Sequence, residues 1–600
     1  MTEIVSRKRK WPLPNQSAGR KRSLNDKRLD FTKALLSNEL VLHIFSYLSA
    51  SELAQCAKVN SSWYRLANDD LLWKLLFLRR FRYPLMVDMK EDPKLLQRWQ
   101  ERTTHNNDFN TNNNNIKRKR SEWKIVYKTN HNWRLGNCRM TYVDVDEEDE
   151  KMSSITNKSI TTNTTSSYVQ FANDVLYIAY TTAPLIEVWK LKNSGQPTML
   201  RQLETTAPTT EKITCLKLDT SSSGTHRLVA GYTGGGLSVW EITWNNSSSN
   251  LNDGSSSSNS MSCSATEVAV YTPRTMRTDC IISIGISYPM IITCSSPCST
   301  TTTTGSSGIY TPTDMRLSAF CIDISSRTGQ QAARLVYELR SYIHWNPMSI
   351  EIDPCNGEIN RWRAMVCFGM PVGLNSYTVG IQEIIISKES LISSRHCTAL
   401  NEEDLFFAPS SSSSSDHTAN TSITEYSQQP ITSISYSEPY LITAHANNTI
   451  KQYYVRFADN KLELIFAQTL YGHTSKVSAL ALDSSIGRLV SGDRFGLKIW
   501  DFHFMNKDKV LHDDPSIHSD DHASYYQRRH IAGTEYIVSI DGHEDLLMGN
   551  DDSMGVPFRD IEWLQFDSDK IVAVVRDERK KDSNHEKLSV RIWSFSEDAI

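Results

Sequence analysis

Two stretches of this 600-residue chain have the residue types and spacing for metal or phosphate chemistry. Gly231-Tyr232-Thr233-Gly234-Gly235-Gly236 is rich enough in glycine to let a backbone approach a phosphate. A phosphate cradle also needs a helix N-terminus or a lysine-bearing nest, and this run joins two strand-like segments, so it reads as a turn. His518 and His522 stand four apart, a spacing that would hold a metal if the segment were helical. The surrounding Ser519-Asp520-Asp521 is polar and acidic, which favours a solvated loop. Neither a Gly-x-Ser-x-Gly elbow nor a His-Glu-x-x-His pair occurs. The eleven cysteines lack paired spacing and read as reduced thiols; Cys294 and Cys298 flank what reads as a loop. The expectation is a chain with no catalytic residues, metal or cofactor, whose work is binding.

Charge does not select a polyanionic partner. The net charge is -3, so neither nucleic acid nor a membrane surface is expected to bind the chain as a whole. No apolar run reaches the roughly 18 residues of a membrane span. The charge is nevertheless uneven. Residues 1–30 hold nine Lys/Arg against three Asp/Glu, in the runs Arg7–Lys10 and Arg20–Arg22, with a further run at Lys117–Arg120. Their spacing is compatible with nuclear import, and a disordered cationic tail is the alternative. The expected location is nucleus, cytoplasm or both. Asp144–Glu150 is an acidic run that reads as a solvated linker.

Polar low-complexity tracts punctuate the chain near 103–115, 152–167, 245–264, 298–307 and 409–422. They carry too little apolar surface to offset the entropy of ordering and read as linkers or insertions. The chain therefore divides into a basic head (1–30), a helical segment (31–80), a helical and Asn-rich linker (81–130) and a strand-rich remainder (131–600). Short strands are expected to dominate from about residue 123.

In the helical segment, Leu40, Val41, Ile44, Phe45 and Leu48 fall on one helix face. Ser49-Ala50-Ser51-Glu52 has the form of a capping box, Asn60 can start the next helix, and Asp69 or Asp70 the last. About 45 residues of tightly spaced helices lie near the lower size limit for folding alone. Their apolar content exceeds what so small a core needs, which implies burial against a partner or neighbouring helices. Leu36 to Leu40, His43 to Leu48, Glu52-Leu53, Val59-Asn60, Trp63-Tyr64 and Leu71-Leu72-Trp73 resemble the F-box in order and spacing. Ser37 stands where that family usually has proline, and serine can cap the helix equally well. The resemblance implies docking on a Skp-type adaptor, and through it a cullin–RING ubiquitin ligase, by Leu36, Leu40, Ile44, Phe45, Leu48, Leu53, Val59 and Trp63.

In the strand-rich remainder one short pattern ending in a large side chain recurs. Its copies are Ile186–Trp189, Leu237–Trp240, Leu497–Trp500 and Val590–Trp593, with weaker ones at Leu317–Phe320 and Ile450–Tyr453 and a degenerate one, ending in glycine, at Tyr377–Gly380. Upstream of most copies lies an apolar strand ending in small residues, as in Leu228–Gly231, Leu441–Ala444 and Leu489–Gly492. The unit resembles the WD repeat, and its seven copies suggest a seven-bladed all-β propeller after the small all-α F-box. That resemblance implies a hydrogen-bonded set of His473, Ser491, Asp493 and Trp500 within one blade. Asn132-Trp133-Arg134 and Gly136, before Met140–Val143, resemble the junction at which the first strand completes the last blade. Two β-sandwich domains would be the alternative. Pairing of the strand around Thr141 with that around Val590 separates the two.

Together the resemblances imply a non-catalytic subunit of an SCF-type ubiquitin ligase. The F-box would bind the adaptor, and the propeller would hold a protein substrate for ubiquitination and degradation. Arg494, in the turn before Trp500, is a candidate substrate contact by position alone. The alternative is a WD-repeat scaffold whose F-box-like helices recruit no ligase.

Overall fold

The computed structural model describes residues 37–82 and 122–144. Between 167 and 596 it describes all residues except 181–184, 192–196, 207–210, 223, 246–261, 274–278, 298–314, 325–330, 342–344, 347, 356–357, 359, 373–376, 400–429, 459–460, 503–536, 542–557 and 578–586. Leu36, Cys298, the 298–307 and 409–422 tracts, the basic runs and His518–His522 lie outside the described residues. The chain forms two compact units, one of Met1–Arg80 with Ile116–Tyr127 and one of Phe81–Asn115 with Lys128–Ile600.

The first unit is built from α1 (Asn38–Phe45), α2 (Ala50–Cys56), α3 (Ser61–Ala67) and α4 (Asp70–Phe77), which runs on as a π-helical turn at Leu78–Arg82. Each helix begins at a side-chain cap. Ser37 Oγ accepts the Leu40 amide, Asn60 Oδ1 the Trp63 amide and Asp69 Oδ1 the Leu71 amide. Glu52 closes the expected box by accepting the Ser49 amide at 2.7 Å. Residues 122–127 begin α5 (Glu122–Leu135), which lies partly in the stretch read as a helical linker and continues past residue 130, where short strands were expected. Strand-forming residues do not decide the outcome here, because Trp123 and Tyr127 stand one helical turn apart and meet Phe77 and Trp73.

The second unit consists of seven four-stranded antiparallel sheets whose innermost strands pack side by side in a closed ring, a β-propeller. The sheets cover Ser167–Glu204, Ile213–Tyr271, Asp279–Ser341, Met348–Thr398, Ile431–Leu470, Ala479–Asp541 and Phe558–Ser594, here blades one to seven. All seven copies of the recurring pattern, the weak Tyr377–Gly380 included, lie on the third strand of their sheet. The tract near 245–264 is shorter than its composition suggests, since Asn245 and Ser262–Ser264 belong to paired strands. The strand through Cys294 likewise continues to Pro297 rather than breaking into a loop.

Each interface between neighbouring blades holds its own apolar cluster. Successive side chains of one strand point to opposite sheet faces. Val175, Tyr177 and Ala179 thus pack toward blade two, while Leu176 and Ile178 pack toward blade seven. Both faces are buried, which is why these strands are almost uniformly apolar rather than alternating.

The ring closes as the junction motif implied. The strand Arg139–Asp144 is the outer strand of blade seven, with Thr141 opposite Ile592 and Val143 opposite Val590. Just before it, the last turns of α5 wedge between blades six and seven. Trp133 stacks on Phe595 at a centroid distance of 3.8 Å, and the Arg488 guanidinium lies 4.0 Å from its ring centroid. The indole N–H donates to the Ser568 carbonyl, and the Asn132 amide donates to the Phe595 carbonyl. Burial draws the Arg488 pKa down to about 10 against the opposing charges of Asp501 and Asp483, so the group stays charged at neutral pH. Gly136 makes the turn with φ +71°, and a Cβ there would lie 2.9 Å from Val538 Cγ1.

Polar ties add to the apolar seams. Between blades one and two the buried His226 takes the Asn173 amide N–H at Nε2, and its Nδ1 lies 2.7 Å from the Tyr177 hydroxyl. Burial lowers its pKa from 6.5 to about 4, although the Asp219 charge acts the other way. The unfolded chain takes up this proton below pH 6.5 and the folded chain only near 4. Its stabilising effect is therefore complete above 6.5 and lost as pH falls through that window, by about 3 kcal/mol. His226→Gln is expected to flatten the fall in unfolding midpoint between pH 6.5 and 4 in thermal scans. Trp133→Ala is expected to cost about 3–5 kcal/mol. Hydrogen exchange should show faster exchange concentrated in Phe558–Phe566 and Lys587–Ser594, with blades three and four unchanged.

Candidate functional site

The helical unit sorts the expected docking residues into two sets. Val41 and Phe45 of α1 turn inward, and Phe45 meets the Trp63 ring edge-on at 5.3 Å. Leu53 of α2 is fully buried. Trp73 is anchored by its indole N–H on the Ala67 carbonyl, and Lys124 caps its ring face at 5.2 Å from the centroid. Arg80 donates to the Tyr127 hydroxyl at 2.7 Å. These groups form the core of the unit. Phe45 and Leu53, both expected to touch an adaptor, are buried among the unit's own helices. Trp63, packed against Phe45, is partly buried.

The opposite set faces solvent. Leu40 is 52% exposed, Ile44 51% and Val59 59%, while Leu48 is half-buried. Leu40, Ile44 and Leu48 follow at four-residue steps and line one side of the first helix and its C-terminal turn. Tyr47 is 74% exposed and extends that side. Tyr64, Leu71 and Leu75 are also exposed and are not among the expected docking residues. A signal for the last two was available: Leu71 and Leu75 stand four apart on α4, while Leu72, Trp73 and Phe77 are buried. Exposing this many large apolar side chains on so small a unit is unfavourable for a free surface and suits an interface. The capping groups stiffen it. The Ser49 amide and hydroxyl bind the Glu52 carboxylate and hold its pKa below the ordinary range.

In the propeller, the four residues expected from the repeat resemblance converge in blade six. The Trp500 indole N–H donates to Ser491 Oγ at 2.8 Å, and Ser491 lies 2.6 Å from His473 Nε2. His473 Nδ1 lies 2.9 Å from Asp493 Oδ2. The other carboxylate oxygen of Asp493 accepts the amides of Phe495 and Gly496. Burial raises the Asp493 pKa, and the histidine and amide hydrogen bonds outweigh it, leaving the group below the ordinary carboxylate range. The chain of bonds is structural, since all four side chains are buried. Arg494 is exposed on the turn that this chain holds.

Of the remaining chemical candidates, the glycine run resolves as structure, and His518 with His522 lies outside the described residues. The amides of Thr233, Gly234 and Gly235 are bonded to the carbonyls of Lys212, Asp279 and Tyr232, so they form no phosphate nest. Among the described residues no group of three His, Cys, Asp or Glu is placed to hold a metal. The described cysteines are free thiols, and burial pushes Cys215 and Cys294 up to about 12, where they are protonated and unreactive.

Comparison with known proteins agrees with this geometry. Residues 38–79 match the F-box-like family, and residues 154–588 match the family described as F-box protein pof12 beta-propeller. An F-box protein of Arabidopsis thaliana is 30% identical over 73 residues, 12% of this chain and 27% of that one. An F-box protein of Saccharomyces cerevisiae is 29% identical over 127 residues, 19% of this chain and 18% of that one. A Rho GTPase-activating protein of Dictyostelium discoideum is 32% identical over 109 residues, 18% of this chain and 9% of that one. The matches thus span about a quarter or less of each relative's length. The Saccharomyces cerevisiae protein Sqt1 aligns over 70% of this chain and 83% of its own at 10% identity and a TM-score of 0.32, which carries no weight in the assignment. With its propeller matched almost from end to end and its helical unit matched separately, the chain belongs to the family of F-box proteins with the pof12 beta-propeller.

Proposed function

We propose that this chain is the non-catalytic substrate-recognition subunit of an SCF-type ubiquitin ligase. The observation that carries the reading is the solvent-facing set Leu40, Ile44, Tyr47 and Val59, continued by the half-buried Leu48, on a helical unit whose core is already complete without it. Burying such a row contributes roughly 1.5–3 kcal/mol per large side chain, enough for a stable small interface. The occupant is a Skp-type adaptor, which brings the cullin–RING assembly. The propeller then holds the substrate near a conjugating enzyme supplied by other subunits, and the gain is one of effective concentration. The proposed location is the nucleus, the cytoplasm or both.

The test uses two variants of the full chain with co-expressed adaptor. Ile44→Asp with Leu48→Asp is expected to lower adaptor affinity by about a hundredfold while leaving residues 37–82 resistant to protease. Undiminished co-purification by the double variant would sink the docking reading. Leu53→Asp places an unpaired charge in the core and is expected to cost about 4 kcal/mol or more. It should lose adaptor binding and protease resistance together, whereas the surface variant loses binding alone.

A further inference from the structure

In blade seven, Asp567 to Lys570 lead from the inner strand into the second strand and gather contacts from three distant parts of the ring. The Ser568 carbonyl accepts the Trp133 indole N–H. The Asp569 carbonyl accepts the amide of Phe595, the residue on which Trp133 stacks. The Lys570 ammonium pairs with Asp174 of blade one. One side chain organises the turn that places these groups. Asp567 Oδ1 accepts the amides of Asp569 and Lys570, each at 2.7 Å, and the Asp567 amide donates to the Lys570 carbonyl at 3.0 Å. A single carboxylate thus positions the anchor of Trp133, the anchor of Phe595 and the tie to blade one.

That carboxylate is largely buried, and a second one, Asp569, stands on the same turn with the Ser568 hydroxyl bonded to it. Lys570 is the cation of the turn and already has Asp174 as a partner. From blade six, Arg488, under the charges of Asp501 and Asp483, meets the Trp133 ring. We propose that this turn is a proton-operated latch on ring closure, tighter when the Asp567 carboxyl is protonated. The proton sits on Oδ2 and leaves Oδ1 to accept both amides. When the group is ionised, a poorly hydrated charge lies near a like charge, and opening the turn relieves both by admitting water. Burial, with the Asp569 charge added, raises the Asp567 pKa from 3.8 to about 6, against the pull of the two amides and Lys570. Between those values the closed turn holds a proton that the open turn does not. Closure is therefore strengthened as pH falls through 6 and loses that gain as pH rises through it. His226 acts in the opposite direction at the seam of blades one and two. The latch belongs to the ring itself and does not depend on the adaptor.

The experiment is amide hydrogen exchange of the full chain at about pH 7.5 and pH 5, corrected for the intrinsic pH dependence of exchange. It reads the opening constant of Phe558–Phe566, Lys570–Asp577 and Lys587–Ser594 in the wild type relative to Asp567→Asn. Asparagine keeps the Oδ1 acceptor and cannot ionise. The ratio cancels the titration of His226 and of every other group that the two proteins share. It is expected to fall about tenfold from the higher pH to the lower, as a carboxyl that ionises near 6 when closed and near 3.8 when open requires. Asp567→Ala, which loses the acceptor as well, is expected to open faster than the wild type at both pH values. A ratio that is constant or rises as pH falls overturns the latch. So does an alanine variant as closed as the wild type, since the carboxylate then does not organise the turn. An asparagine variant that loses its fold at pH 7.5 overturns it too, because the neutral side chain is then the looser one.

Discussion

Closure of the ring is the constraint on which the strand unit depends. An open row of sheets would leave unpaired edges and, at each end, an apolar face without a neighbour. Here the gap is closed by chain drawn from far apart in sequence: Arg139–Asp144 supplies the strand that the C-terminal sheet lacks. The strand is preceded by Trp133, held between Phe595 on one face and the Arg488 guanidinium on the other. Asp174 pairs with Lys570 at the next seam, and Gln565 accepts the Phe171 amide there, so blade seven is tied to blade one as well.

Once the ring is closed, every blade can be apolar on both faces, and the seams share the burial evenly. This explains how several blades dispense with the polar set seen in blade six. Blade two has no histidine ahead of its inner strand at the place His473 holds in blade six, and its Trp240 is buried in the seam with blade one. Polar side chains instead act between blades: His226 with Asn173 and Tyr177, Asp219 with the Tyr288 amide, Arg363 with Glu438, and Ser437 with Ser484. Blade six keeps the full internal chain of bonds, and its outward turn is correspondingly well fixed. The helical unit divides its apolar residues differently, with Val41, Phe45 and Leu53 filling the interior and Leu40, Ile44 and Val59 left outside.

What the sequence determined by itself was local. The caps at Ser37, Ser49, Asn60 and Asp69 are set by side chains reaching three or fewer residues along the chain, and they formed as read. The third strand of each sheet was legible because its pattern repeats, even at Tyr377–Gly380. Closure through Thr141 was legible only through a resemblance, since nothing in a six-residue strand names a partner some 450 residues away. Tertiary structure alone decided three things. It carried the helix Glu122–Leu135 through a stretch where strands were also expected, because Trp123 and Tyr127 find aromatic partners on α4. It sent Leu53 and Phe45 inward and Ile44 outward, a choice that depends on where neighbouring helices lie rather than on apolar character. And it left Tyr471 and Phe495 in solvent, because the buried His473–Asp493 bond fixes the turns that carry them.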